Sequence, residues 1–478
     1  MSTAFIKPKA LFINGAWEES ATRVLVVNPA TGQPFASVCT VTRPVVAGAV
    51  RAAHEAFKEW RQLPAVERGR HLNAIANELD RRAPEVAALI GQENGKPLDQ
   101  ATGEVRMSID HLRWFAEEGR RSYGRGVPSH DKNKRHMVVK SPIGVVGAIS
   151  PWNFPLVLAV RKIAPALAAG CTVVLKPATA TPLCALAFAE CVEQAGVPKG
   201  VVQVVLGDAA EIAAEFLENP LCRKITFTGS TEVGRKLIAG AAAGIKPLSL
   251  ELGGQAPALV FSDVDLDRAV EGVMVAKFRN TGQSCIAANR IYVQRSIYAE
   301  FVERFAAKTR ALKVGAWDQP GVAVGPVINA AGLAKALEHI EDATRRGARL
   351  LCGGKQLSQA GWFLEPTVLA DVPRDALCMN EETFAPVAAI TAFDSEAEAI
   401  ELANATPFGL CSYAFTRDIG RVYRMAENLE SGTIAINDGA PTASHCPFGG
   451  TKQSGWGREL GIEGLDAFLE TKHVSIAL

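Results

Sequence analysis

The sequence lacks a charge imbalance: 51 Lys and Arg residues against 50 Asp and Glu leave a net charge of +1 over 478 residues. A surface built for nucleic acid or anionic lipid carries a clear basic excess, so neither is expected as a partner. It also lacks an uninterrupted apolar run of membrane-spanning length. The best stretch, Leu156 to Leu175, is broken by Arg161, Lys162 and Pro165. The opening MSTAFIKPKALFING has no basic region ahead of a long apolar one, so no secretory signal is read there. The ten cysteines form no CxxC pair and no regular spacing, which argues against a zinc site or a disulfide framework. These absences point to a cytoplasmic protein in which nine of the ten thiols are expected to be inert. Cys285 is set apart by its surroundings.

What is present is a chain too long for a single core, with 48% hydrophobic and 21% charged residues. Residues Pro44 to Arg121 read as long, charged amphipathic helices. From about Val138 to Gly253, short apolar runs (VVGAIS, CTVVLKP, VVQVVLG, KITFTG, LSLELGG) alternate with Ala-rich helical segments such as Leu183 to Gln194. That alternation implies βαβ units and a parallel sheet, whose ligand sites lie at the carboxyl ends of the strands. A second α/β block runs from Ala256 to about Asn437, with ALVF, RIYV and TIAI as strands. The segment Arg125 to Lys140 and the closing TKHVSIAL look like strands without a sheet of their own and would pair in an arm that meets another subunit. The expected division is therefore 1–124 with 141–253, then 254–440, with 125–140 and 441–478 as arm and C-terminal segment.

Four strand ends carry polar residues suited to chemistry. After KITF comes Thr228-Gly229-Ser230-Thr231-Glu232-Val233-Gly234, a glycine turn opening a helix, which suits a pyrophosphate and equally an ordinary helix cap. Ser150-Pro151-Trp152-Asn153-Phe154-Pro155 and Lys176-Pro177-Ala178-Thr179 follow other strands, with prolines fixing extended loops. Lys176 can donate to ribose hydroxyls or to a 2′-phosphate. A carboxylate that would repel that phosphate is missing, the nearby position being neutral Thr179, so NADP should be accepted as well as NAD. Glu251 closes an otherwise apolar strand, an expensive place for a carboxylate unless it is used or paired. In Phe278-Arg279-Asn280-Thr281-Gly282-Gln283-Ser284-Cys285, a glycine turn and small or polar neighbours leave a thiol accessible. DVDLD at Asp263 to Asp267 lacks the spacing of a calcium loop and reads as a helix N-terminus.

PWNFP, FTGSTEVG, LELGG, GQSC, EETFAPV and CPFGG occur here in the order and spacing of the aldehyde dehydrogenase superfamily, which the chain resembles over essentially its whole length. The resemblance implies two Rossmann-type parallel-sheet domains with a β-strand oligomerisation arm, in a homodimer or homotetramer. It implies that Cys285 attacks an aldehyde, that the Asn153 amide and the Cys285 N–H hold the oxyanion, and that hydride passes to NAD or NADP. Glu251 would then activate water to hydrolyse the thioester. Lys176 and Glu382 match ribose contacts, Phe384 a position near the nicotinamide, and Ser150, Trp152, Thr179, Gly229, Ser230 and Leu252 line the cofactor. Ala385 departs from the glycine commoner after that Phe.

Arg161, eight residues after Asn153, and Arg279, six before Cys285, could converge on the far end of a substrate and clamp a carboxylate. This resembles the succinate-semialdehyde dehydrogenase branch. Ser444 and Phe448 are further candidate contacts, and glutarate semialdehyde or a general aliphatic aldehyde remain alternatives. Ala287 stands where some members of the branch carry a second cysteine, so no local disulfide switch is expected. A different class, a thiol hydrolase pairing Cys285 with His445, would work without nucleotide.

Overall fold

The computed structural model describes residues 10–358 and 360–478. Most of the opening segment read for a leader lies outside the described residues. The predicted helical layer is four helices, Arg43–Trp60, Ala65–Arg81, Ala83–Asn94 and Leu98–Glu118. Their amphipathic spacing works as expected: the first buries Val46, Ala49, Val50, Ala53, Phe57 and Trp60 on one face. This layer shares a single core with the first sheet.

That sheet runs, edge to edge, Gly455–Trp456, Leu248–Glu251, Cys222–Thr228, Val145–Ile149, Thr172–Lys176 and Val202–Val204. Only Gly455–Trp456 is antiparallel. The chain starts at Val145–Ile149, builds outward to Val202–Val204, then returns to the other side with Cys222–Thr228. The order therefore reverses between Val145–Ile149 and Cys222–Thr228. Such a reversal opens a crevice at the carboxyl ends, here at Ser150 to Asn153 and at Gly229.

The second sheet runs Arg349–Cys352, Thr367–Ala370, Val387–Phe393, Arg290–Gln294, Pro257–Val260, Cys411–Phe415 and Thr433–Ile436, antiparallel only at the Arg349 edge. Apolar clusters cover both of its faces. The carboxyl-end rule does not extend to this sheet. Cys285 precedes Arg290–Gln294, and Glu382 and Phe384 precede Val387–Phe393, so all three sit at amino ends. The reason is the connection. Leu248–Glu251 leaves the first sheet at its carboxyl end, and after residues 252–256 the chain enters the second sheet at the start of Pro257–Val260. One sheet's carboxyl ends thus face the other's amino ends.

Arg125–Val127, Lys134–Pro142 and Leu469–Ala477 form a separate antiparallel sheet in which Leu469–Ala477 is an edge strand. The two orphan segments do pair, as their sequences suggested. Asp265 caps the helix Leu266–Phe278 by accepting from Arg268 N at 3.2 Å, and no metal-binding cluster occurs among the described residues. No helix of the described residues is long and apolar enough to cross a membrane.

Candidate active site

The loop before Cys285 is more unusual than its glycine suggested. Asn280, Thr281 and Gly282 all have left-handed backbones, with φ of 53°, 60° and 71°. For the two residues with a Cβ this conformation costs roughly 1–2 kcal/mol each, so the surroundings must hold it. Asn280 N donates to Gln100 Oε1 at 2.7 Å, Asn280 Nδ2 to the Asn153 carbonyl at 2.8 Å, and Gly325 N to Thr281 Oγ1 at 3.0 Å. At Gly282 a Cβ would stand 2.2 Å from the Ala385 carbonyl oxygen, so no side chain fits.

Asn153 is buried beside this turn, and its Nδ2 donates to the Gln283 carbonyl at 3.1 Å, two residues before the thiol. Its second amide proton is left for a ligand. Glu251 closes its strand fully buried, and a Cβ on Gly254 would lie 2.5 Å from the Cys285 carbonyl oxygen. The Leu-Gly-Gly segment is what lets the Glu251 strand end and the Cys285 loop approach.

The electrostatics are those of a resting site. Burial, then the charges of Glu382 and Glu251, push the half-buried Cys285 thiol up to about 12, with Arg161 pulling the other way. Burial and the neighbouring Glu459 hold the Glu251 carboxyl well above the usual carboxylate range, against the cations of Lys162, Arg161 and Arg458. Glu251 Oε2 has no hydrogen-bond partner among the described residues. Lys162 donates to Glu459 Oε1 at 2.5 Å and to Thr228 Oγ1 at 2.6 Å. Glu251 thus sits against a buried Lys–Glu pair.

On the first sheet's side, Ser230 caps the helix Thr231–Ala241 and accepts from Val233 N at 3.4 Å, while Leu252 is buried below with Phe227, Leu237 and Leu250. Lys176 is buried, yet among the described residues its ammonium bonds only to the adjacent Pro177 carbonyl at 3.1 Å, and burial lowers its proton affinity. Ser150 Oγ is buried without a partner among the described residues. Glu382 turns inward while Glu381 is exposed. Its Oε1 accepts from Gly254 N at 3.3 Å, and burial raises it to about 7. Trp152 and Phe384 meet edge to face at 5.4 Å across the opening between the sheets. Underused buried donors, an inward carboxylate and a helix N-terminus fit a ribose-bearing pyrophosphate. Thr179 lies exposed beyond Lys176.

At the other end, Arg161 is buried in a helix, Val157–Ala169, none of whose residues is exposed. Its guanidinium lies 5.0 Å from the centre of the Phe448 ring, and that of Arg279 lies 5.4 Å from the Phe154 ring. Neither arginine forms an ion pair among the described residues, although each is close enough to the other for Arg279 to lower the proton affinity of Arg161. Ser444 is buried in the same segment as Phe448, its carbonyl accepting from Gly461 N at 3.0 Å. His445 is exposed and packs edge-on against Trp114, with no bond to Cys285, which leaves the hydrolase reading without its base.

Several residues escaped the sequence reading. Lys96, fully buried, pairs with Glu104 and donates to the Asn153 carbonyl at 2.9 Å. Glu104 Oε1 accepts from Leu156 N and Val157 N, capping the helix that carries Arg161. Asn94 Nδ2 donates to the Trp152 carbonyl at 2.9 Å. The one local signal was Arg161-Lys162 side by side in an otherwise apolar helix, where both must be buried.

The chain belongs to the Aldehyde dehydrogenase family, which it matches over residues 17–474. It is 47% identical to glutarate-semialdehyde dehydrogenase of Pseudomonas aeruginosa, covering 97% of each chain. It is also 47% identical to succinate-semialdehyde dehydrogenase [NADP(+)] of Escherichia coli, over 98% of this chain and 97% of that one. The crystal structure of an E. coli NADP-dependent enzyme superposes with a TM-score of 0.98 at 46% identity, covering 100% of this chain and 99% of the other. The protein is an aldehyde dehydrogenase of the NAD(P)-dependent kind.

Proposed function

We propose that this enzyme oxidises the ω-semialdehyde of a short dicarboxylic acid, succinate semialdehyde in the first instance. The observation that carries this reading is the pair Arg161, buried, and Arg279, half-buried, two guanidiniums that form no ion pair among the described residues, the acids Glu459 and Glu251 acting on Arg161, and Glu104 on Arg279, only through space. Buried cations without a carboxylate in contact are costly, and a substrate carboxylate supplies that contact. Ser444 and Phe448 complete that end of the pocket. Glutarate semialdehyde is the second reading, favoured by the relative in P. aeruginosa. One methylene alters binding by only about 1–3 kcal/mol in an apolar pocket.

Cys285 Sγ, once deprotonated, attacks the aldehyde carbon, and the Asn153 side-chain N–H with the Cys285 backbone N–H stabilises the oxyanion. Ser150, Trp152, Lys176, Thr179, Gly229, Ser230, Leu252, Glu382 and Phe384 hold NAD or NADP, which when bound accepts the hydride. The Cys285 thioester is released by water that gives its proton to Glu251, in its ionised form. Such a base suits hydrolysis and not transfer to coenzyme A. A second copy of the chain pairs along the Leu469–Ala477 edge, in a dimer or tetramer, the 125–140 and 441–478 segments being the arm of the division set out above. Ten free cysteines suit a reducing cytoplasm.

The test is reduced-cofactor formation over a panel of aldehydes with NAD and NADP. Succinate semialdehyde is expected to give the highest kcat/KM, and Arg161→Ala or Arg279→Ala to lower it about 10- to 100-fold, in line with loss of a charge-assisted contact. Equal losses with uncharged butanal would overturn the carboxylate reading.

A further inference from the structure

On the helix Leu98–Glu118, Met107 and His111 are four residues apart and share a face. Arg161 Nη2 lies 3.8 Å from Met107 Sδ, so the guanidinium rests on that face. His111 is fully buried, and neither of its ring nitrogens has a hydrogen-bond partner among the described residues. Arg161 Nε is buried and unpartnered as well. Buried polar groups in proteins are nearly always bonded, so two orphaned groups on two packed helices, with Met107 of one helix touching the guanidinium of the other, mark a shared purpose. Burial and the adjacent Arg161 charge hold His111 well below its ordinary value, so the ring is neutral and carries one N–H and one lone pair.

We propose that His111 is a positioning residue for substrate specificity, its lone-pair nitrogen accepting from Arg161 Nε–H when a distal carboxylate draws the guanidinium into line. The proposal rests on the reading of Arg161 as an anion contact. A carboxylate at position 111 would steer the arginine equally well but would cancel its charge. A neutral acceptor fixes its direction and leaves the full charge for the substrate. His111 itself is fully buried and acts through Arg161, not on the substrate.

The experiment measures kcat and KM of the full-length enzyme for succinate semialdehyde and for butanal, with thermal melting of each variant alongside. His111→Phe is expected to raise KM for succinate semialdehyde about tenfold, the scale of one hydrogen bond to a charged group, with kcat and the butanal KM within about twofold. His111→Gln, which keeps a neutral acceptor, restores the lower KM. His111→Glu, which folds with a charge partner for Arg161, raises it again. Equal KM values for the Phe and Gln variants, an unchanged KM with Glu, or a butanal KM that rises in parallel overturns the proposal. Arg161→Ala separates the two levels. If it fails to distinguish the aldehydes, the anion-site reading falls; if it distinguishes them while His111→Phe does not, only His111 falls.

Discussion

Glu382 acts on Cys285 through space. Its charge and that of Glu251 add to burial in holding Cys285 near 12, so in the cofactor-free enzyme the thiolate fraction is small. Alkylation by iodoacetamide should therefore quicken about tenfold per pH unit from 7 to 9 with no plateau. Glu382 titrates near 7, so its negative charge is present above that pH and fades below it. Glu382→Gln should accordingly speed alkylation about two- to tenfold at pH 8 and have little effect at pH 6. A variant that reacts more slowly at pH 8 would refute this coupling. At this scale the sequence was informative wherever chemistry sits in a contiguous motif. Cys285, Glu251 and Asn153 were legible because glycines and prolines frame each of them. Lys162 and Glu459 were not, because their pairing spans 297 residues. The left-handed Asn280 and Thr281 also escaped notice, since nothing in their side chains demands that backbone.

Among the elements, the helical layer does more than pack. Lys96 and Asn94, at the junction of two of its helices, hold the carbonyls of Asn153 and Trp152. Lys96→Met would leave Glu104 buried without its cation, and removing one partner of a buried pair costs roughly 3–5 kcal/mol. We expect a lower denaturation midpoint, together with a lower kcat because the Asn153 loop loses an anchor. A midpoint unchanged within error would contradict the buried-pair argument. The four helices and most strands were readable from periodicity. The edge strand Gly455–Trp456 was not, because two residues carry no periodicity and only pairing with Leu250 and Glu251 defines them. The amino-end position of Cys285 also followed from connectivity, which no local pattern encodes.

For the molecule as a whole, the separate three-stranded sheet ends in a nine-residue edge strand with Ile476 exposed, next to the central strand Lys134–Pro142 with Met137 exposed. A long unprotected edge is an invitation to pair with another chain. Ile476→Glu is expected to shift sedimentation toward smaller species while leaving the far-ultraviolet circular dichroism unchanged. A sedimentation profile identical to the parent's would refute a role for this edge in assembly.

The short passage 252–256 between the sheets acts as a ruler. It fixes the gap between Glu251 on one side and Cys285 on the other, and a longer passage would part them without altering either loop. The enzyme therefore cannot widen that gap to take a longer aldehyde. Changes of substrate length have to be absorbed away from this passage, by substitution of side chains and not by movement of the buried, Glu104-capped helix Val157–Ala169, so diversification of this scaffold is confined to one end of a molecule whose other end is held at a constant width.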